Sequence, residues 1–160
     1  LITHAAGMSM VFYTRGTYDF TQSVTDDQQQ AMDWASENTP TDSQFYVVDA
    51  GSNSDGRTAS PKWILDWFPV LTDRTSLNTM MGSEWAGRQE QQWDLNYQLR
   101  EATTVVGVIE LANSWDMSPS HLYIVRSASN DELVADVQER DCARIQYSSQ
   151  STIIAGFSDC

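Results

Sequence analysis

Residues Thr25 to Asp49 read TDDQQQAMDWASENTPTDSQFYVVD and give the clearest indication of the fold class. Thr25 can cap a helix, and Gln28 stands three residues later in the capping-box position. Asp26 and Asp27 suit the positive end of a helix dipole. Apolar residues follow at helical spacing until a proline ends the pattern. The final QFYVVD is typical of a short buried strand. A helix, a tight turn and a strand in this order predict an α/β unit.

The alternation continues toward the carboxyl terminus. Arg74 to Met80 is predicted as a second strand. Glu84 to Asn113 has a helix-forming composition, although Thr103–Ile109 is also β-branched enough for a strand. Further on, a strand, a short helix and a pair of strands are predicted over 121–126, from 130, and over 142–147 and 152–157. The sequence therefore predicts an α/β fold. It has a mixed β-sheet of about five strands with flanking helices, and it ends in a hairpin.

The chain of 160 residues is expected to hold one domain. Residues 1–24 are interpreted as a leading segment, a remnant of a membrane-proximal region, and 25–160 as a single soluble α/β domain. Residues 50–61, AGSNSDGRTASP, carry no apolar pattern and are predicted to form a loop, which is either a solvent-exposed connector or the lining of a site.

The net charge of the chain and the motifs that it lacks argue against several classes of function. The chain carries 22 acids and nine bases, a net charge of −13, which disfavours nucleic acid and anionic lipid as partners. It contains no phosphate-binding glycine loop and no GxSxG serine motif. His4 and His121 are too remote from the two cysteines to form a metal site. The sequence thus predicts no metal and no cofactor, and His121 is interpreted as an edge or core-margin residue and not as a catalytic base.

Cys142 and Cys160 allow two interpretations. They are two small idle thiols, or they form a disulfide that holds the last residue against the sheet. The second alternative requires an oxidising compartment.

The candidate site is a cluster of aromatic and charged residues within 23 positions: Trp63, Asp66, Trp67, Arg74, Glu84 and Trp85. Aromatic rings stack on sugar rings, and Arg offers a bidentate fork to phosphate. This chemistry suits a carbohydrate or a lipid-linked sugar phosphate. The alternative is structural, with Trp63 and Trp67 buried on one helical turn and Arg74 paired with a surface Asp. Asp66 and Glu84 are also a conceivable acid/base pair.

Two segments resemble a known superfamily. AMDWASENTP followed by DSQFYVV is similar to the segment that leaves the last membrane helix in C-fold membrane glycosyltransferases, which are oligosaccharyltransferase- or mannosyltransferase-like. PKWILDWFPVLTDRTSLNTMMGSEW resembles the Trp-x-x-x-Trp-Phe-Pro, Arg-x-Ser and Gly-x-Glu-Trp pattern of bacterial relatives. HLYIVR through IQYSSQSTIIAGF resembles the closing strands of the same domain. The resemblance covers roughly residues 25 to 157.

The resemblance implies a soluble domain on the extracytoplasmic face of the cell membrane, following a multi-spanning region. The donor in that superfamily is usually a polyprenyl-phosphate-linked sugar. One departure concerns the strand end, where oligosaccharyltransferase catalytic subunits carry Trp-Trp-Asp-Tyr-Gly. Here VVDAGSN keeps Asp49 and Gly51 but not the aromatics, so acceptor recognition of that kind is not implied.

Three functional hypotheses follow. The first is an accessory domain of a membrane glycosyltransferase-like protein that acts on lipid-linked sugars and is not catalytic when isolated. Its partners would be the membrane-spanning region of its parent chain and a lipid-linked sugar. The second is a free-standing carbohydrate-binding or solute-binding module, and the third a small hydrolase using Asp66 or Glu84. No catalytic residue is assigned, and the candidate substrate-binding residues are Asp49, Trp63, Asp66, Trp67, Arg74, Glu84 and Trp85.

Overall fold

The computed structural model describes residues 24–49 and 63–158. These residues contain five α-helices and five strands. In chain order they are α1 Asp26–Asn38, β1 Gln44–Val48, α2 Trp63–Thr72, β2 Thr75–Ser76, α3 Gln89–Glu101, α4 Val105–Ser114, β3 His121–Val125, a 3-10 turn Ala128–Asn130, α5 Asp131–Glu139, β4 Ala143–Ser148 and β5 Thr152–Phe157. The predicted loop 50–61 and nearly all of the leading segment 1–24 lie outside the described residues.

The strands form one mixed sheet in the order β2-β1-β3-β5-β4. The first three are parallel, with Phe45 of β1 opposite Ser76 of β2 and His121 of β3. β5 is antiparallel to β3, and β4 returns antiparallel to β5 as a hairpin. The predicted α/β fold with a five-stranded mixed sheet, flanking helices and a closing hairpin is confirmed.

Helices cover both faces of the sheet because successive strand residues point to opposite sides. Phe45 and Val47 of β1 pack with α1 and α2. Tyr46 and Val48 pack with α3, α4 and α5. The central strand β3 is buried along its whole length, as expected of a strand covered on both faces.

The predicted start of the first helix is confirmed. The Thr25 hydroxyl accepts from Gln28 N at 3.3 Å, and Gln28 Oε1 accepts from Thr25 N at 3.0 Å. At the other end Thr39 closes the helix by donating from its backbone N–H to Ala35 O at 3.2 Å. These contacts are local in sequence, which is why the pattern predicted them.

The second predicted strand is wrong in extent. Only Thr75 and Ser76 are in β2, and Leu77 N adds one bond to Phe45 O at 2.9 Å. Beyond it the Asn78 side chain replaces the strand backbone, as Nδ2 donates to Val47 O at 2.9 Å and Oδ1 accepts from Val47 N at 3.0 Å. A side-chain amide thus extends the ladder by one residue.

The long helix predicted over 84–113 is two helices. α3 ends at Glu101, and Thr104 caps α4 by accepting from Gly107 N at 3.0 Å. The strand alternative for Thr103–Ile109 is wrong because these residues start α4, whose Val105 and Val108 face the core. Along the described part of the chain, no helix has the length and apolarity needed to cross a bilayer.

Candidate functional site

Arg74 lies at the junction of α1 and α2 and is 7% exposed. Its Nη2 donates to Ser36 O at 2.5 Å and to Thr39 O at 2.7 Å, and Nε donates to Thr39 Oγ1 at 3.1 Å. Nη1 donates to Thr72 O at 3.2 Å and to Asp73 O at 3.0 Å. The five bonds occupy the five N–H groups of the guanidinium.

The acceptors of Arg74 explain its role. Four are backbone carbonyls at the carboxyl ends of α1 and α2, where unpaired carbonyls and the negative end of each helix dipole favour a cation. Asp73 contributes a backbone carbonyl to this set, and the carboxylate of Asp66 bonds elsewhere. The predicted surface ion pair with one of these carboxylates is therefore replaced by a buried fork that ties two helices together. No N–H of this fork remains for a phosphate.

Asp66 is 8% exposed and faces the segment after β2. Its Oδ1 accepts from Met81 N at 2.7 Å and from Thr79 Oγ1 at 3.4 Å. The carboxylate thus fixes this segment against α2. Glu84, its predicted acid/base partner, is exposed in the same segment.

A second anchor holds the same segment to α3. Asn78 is fully buried, and its Nδ2 donates to Asn96 Oδ1 at 2.7 Å. Asn96 Nδ2 in turn lies 3.1 Å from Asn78 O, 2.8 Å from Gln92 O and 3.2 Å from Met80 Sδ. Buried amides that satisfy each other in this way specify one arrangement of the surrounding chain.

These anchors support a loop from Met80 to Arg88, named here the Trp85 loop. Gly82 and Gly87 have φ of 85° and 65°, values that favour glycine. Across Gly87, Arg88 N donates to Ser83 O at 2.9 Å, and across Gly82 the Ser83 hydroxyl donates to Met80 O at 2.7 Å. Two glycine turns and these internal bonds give the loop a defined shape.

The Trp85 loop presents apolar side chains to solvent. Trp85 is 89% exposed and Met81 58%. On the adjoining end of α2, Val70 is 61% exposed and Leu71 38%. Val70 lies one turn after Asp66, whose carboxylate holds Met81, so the helix and the loop meet here. These four residues, Val70, Leu71, Met81 and Trp85, are named the apolar patch.

Asp49 follows β1 directly and is 8% exposed. Its Oδ2 lies 3.7 Å from Arg100 Nη2 at the end of α3. The Trp85 loop follows β2, which is parallel to β1, so both regions lie at the carboxyl ends of parallel strands. This edge is where open α/β sheets bind ligands.

The predicted site residues are thus only partly brought together. Trp67 on α2 is half-buried, and the Trp63 side chain lies outside the described residues. Asp66 and Glu84 meet the Trp85 loop, Arg74 lies buried beneath the end of α2, and Asp49 pairs with α3. The sequence analysis missed Asn78, Asn96 and Met81. The two asparagines each follow a leucine, and this placement of an amide beside apolar residues was the available signal for their burial.

His121, at the start of the central strand β3, is buried. Its ring stacks on Phe45 at 4.7 Å, and Nδ1 lies 2.8 Å from Ser120 Oγ. Burial lowers the pKa of His121, and a hydrogen bond with the Gln146 side chain acts in the opposite direction. Burial therefore favours the neutral form of the histidine.

Residues 24–49 and 63–158 contain no group of three His, Cys, Asp or Glu side chains arranged to hold a metal ion. Cys142 takes part in a disulfide. Cys160 lies outside the described residues, so its predicted pairing with Cys142 stays a prediction.

Comparison with known proteins gives no assignment: no protein-family model matches the chain, and neither the curated proteins nor the solved structures include a significant match. The site must therefore be interpreted from its own geometry.

Proposed function

We propose that the chain is an extracytoplasmic accessory domain of a multi-spanning membrane glycosyltransferase-like protein that acts on lipid-linked sugars. The domain contributes a contact surface and is not catalytic when isolated. The observation that carries the proposal is the Trp85 loop, an anchored loop that holds an almost fully exposed tryptophan. It lies in the segment that resembles the bacterial relatives, where Gly82, Glu84 and Trp85 carry the last part of the pattern.

The roles of the charged residues support a contact surface more than a catalytic centre. Asp66 binds a backbone N–H and a hydroxyl, and Arg74 uses its donors on helix ends. The indole of Trp85, in contrast, has its faces free to stack on a sugar ring or to meet a partner. Exposed aromatic side chains on a rigid support are typical of binding sites.

The disulfide at Cys142 supports the cellular location. Disulfides persist in oxidising compartments, which include the outer side of the bacterial cell membrane. An extracytoplasmic domain would meet this condition.

The first test determines the reading frame upstream of Leu1. The proposal expects several hydrophobic spans continuous with this chain. A start codon or a cleavable secretion signal immediately upstream would contradict it.

The second test measures sugar transfer from a polyprenyl-phosphate-linked donor by the intact parent protein in membranes. Trp85→Ala is expected to reduce transfer at least tenfold while the protein level stays constant. Tyr97→Ala, which truncates another exposed aromatic residue at 54% exposure, serves as the matched control and should leave transfer unchanged. Equal transfer by the Trp85→Ala and Tyr97→Ala proteins would remove the loop from the function.

The exposure of Trp85 also supports the second candidate, a free-standing carbohydrate-binding module. That alternative expects the isolated chain to bind soluble sugars. Titration of the chain with mono- and oligosaccharides, followed by tryptophan fluorescence, distinguishes the two. Saturable binding that Trp85→Ala abolishes would favour the module over the accessory domain.

A further inference from the structure

The apolar patch consists of exposed hydrophobic residues on two adjoining elements, the end of α2 and the Trp85 loop. Among the described residues six large hydrophobic side chains are exposed, and four of them are Val70, Leu71, Met81 and Trp85. The other two are Tyr97 and Val106, on α3 and α4. Single exposed apolar residues are ordinary, but a group of them marks a contact with a membrane, a ligand or a protein.

The sequence segment that carries the patch differs in net charge from the rest of the chain. Residues 62–88 contain three bases and three acids, whereas the remaining residues contain six bases and 19 acids. The surplus of negative charge therefore lies wholly outside the segment that carries the patch. An acidic chain is repelled by anionic headgroups, so any approach to a lipid surface is least opposed at this segment.

We propose that the apolar patch is a membrane-contact surface that seats the domain in the headgroup region of an electrically neutral bilayer. The inference rests on the proposed function, which places the domain beside a membrane. Tryptophan suits this occupant because its indole is apolar over most of its area and carries one N–H for the wet headgroup layer. Methionine, valine and leucine supply the apolar remainder.

The structure favours a shallow contact. The Trp85 loop is already fixed by Asp66, by the Asn78–Asn96 pair and by its own glycine turns, so binding requires little further ordering of the chain. Four apolar side chains form only a small part of the roughly 20 to 30 residues that each partner contributes to a stable dimer. A lipid surface needs no matching partner side chains and accepts a small patch.

The test attaches the chain through an amino-terminal polyhistidine tag to vesicles of phosphatidylcholine with a few per cent of nickel-chelating lipid. Bromine on the acyl chains quenches tryptophans that enter the bilayer. Tethering raises the effective concentration, as a membrane-spanning parent would. The wild-type emission should be quenched, and Trp85→Ala should remove at least half of that quenching.

Two further variants distinguish bilayer contact through the apolar patch from bilayer contact through other parts of the surface. Met81→Asp keeps the Trp85 reporter but places a carboxylate in the patch, and it should abolish the quenching. Val106→Asp makes the same change at an exposed apolar position on α4, and it should leave the quenching unchanged. Replacing half of the neutral lipid by phosphatidylglycerol should weaken the quenching of the wild-type chain at low salt.

Several results would overturn the inference. They are absence of quenching in the tethered wild-type chain, equal quenching in Met81→Asp and Val106→Asp, or a dimer in sedimentation equilibrium that Met81→Asp converts to monomer. The last result would assign the patch to a second copy of the chain. Since sugar transfer by the parent protein is measured separately, loss of transfer in Trp85→Ala without vesicle quenching would retain the proposed function and reject lipid contact.

Discussion

Arg74 and Trp85 lie within the same short segment, and each has the degree of burial that is usual for the other residue type. The arginine is 7% exposed and the tryptophan 89%, although charged residues are normally outside and large aromatic residues largely buried. The arginine can be buried because every N–H of its guanidinium has an acceptor. The tryptophan can be exposed because the loop that carries it is held by other residues. In this segment polar side chains maintain the structure, and apolar side chains are left for contact.

The largest expected loss of stability follows from truncation of the buried residue, Arg74. Arg74→Ala removes five hydrogen bonds and leaves carbonyls at the ends of α1 and α2 without partners. Breaking a buried charged network costs about 3–5 kcal/mol. We expect a loss of this size in the free energy of unfolding, measured by urea denaturation of the chain.

Arg88→Ala is the control for that experiment, because Arg88 is an exposed arginine of the same segment. Its free energy of unfolding should change by at most about 0.5 kcal/mol. Arg74→Lys should recover little stability, since one ammonium group cannot reach the carbonyls that the planar fork spans. A stable Arg74→Ala protein would show that the fork contributes nothing, and Arg74 would again be available for a ligand.

Asn78→Ala tests the second buried anchor. The substitution leaves Val47 N and Val47 O at the edge of β1 without their partners and removes the bond to Asn96. We expect a loss of about 2–3 kcal/mol, the cost of leaving buried backbone groups unpaired. Asn113→Ala on the exposed face of α4 is the matched control. Equal unfolding midpoints for the two variants would argue against the role of Asn78 as an extension of β2.

The sequence predicted those features whose cause is local. The capping box at Thr25 involves residues three positions apart, and the burial of 45–48 on both faces of the sheet follows from their unbroken apolar run. The role of Arg74 was harder to predict, because its acceptors Ser36 and Thr39 lie more than 30 positions earlier in the chain. Residue type alone cannot separate a guanidinium that binds helix ends from one that binds phosphate, since both acceptors are oxygen atoms arranged for a fork.

The Trp85 loop could not be predicted for a different reason. Trp67 and Trp85 are the same residue type within one aromatic segment, yet Trp67 is half-buried on α2 and Trp85 is 89% exposed in its loop. Gly82 and Gly87 indicated turns, but the exposure of the indole depends on the anchors at Asp66 and Asn96, which no local pattern reveals.

Asp27 lies in the first turn of α1, at the opposite end of that helix from the Arg74 contacts. It is expected to make a smaller, pH-dependent contribution to the free energy of unfolding. Its Oδ2 accepts from Ser149 Oγ at 2.7 Å, from Ser151 N at 3.0 Å and from the Ser151 hydroxyl, so the start of α1 holds the turn between β4 and β5. These bonds, chiefly those from the two serine hydroxyls, lower the pKa of Asp27 below its ordinary value of 3.8. Because the folded pKa is the lower one, the contribution to stability is complete above that ordinary value and is lost as the pH falls through the folded pKa.

We therefore expect the unfolding midpoint of the wild-type chain to fall more steeply between about pH 5 and pH 2 than that of Asp27→Asn. Asp33→Asn, an exposed position on the same helix, should follow the wild-type curve. Parallel curves for the wild type and Asp27→Asn would mean that the serine contacts do not favour the charged form.

The smallest effect on stability is expected from truncation of the exposed residue, Trp85. Trp85→Ala removes an indole that is 89% exposed, so the free energy of unfolding should change by no more than about 0.5 kcal/mol. Phe68→Ala is the matched control, because this aromatic residue of α2 is fully buried against Phe45 and Tyr123 and its loss should cost about 3–5 kcal/mol. If Trp85→Ala lost more than about 2 kcal/mol, the indole would belong to the packing of the domain. Its exposure could then no longer be attributed to a contact outside the chain. A near-neutral change combined with lost sugar transfer in the parent protein would place the contribution of Trp85 at that contact.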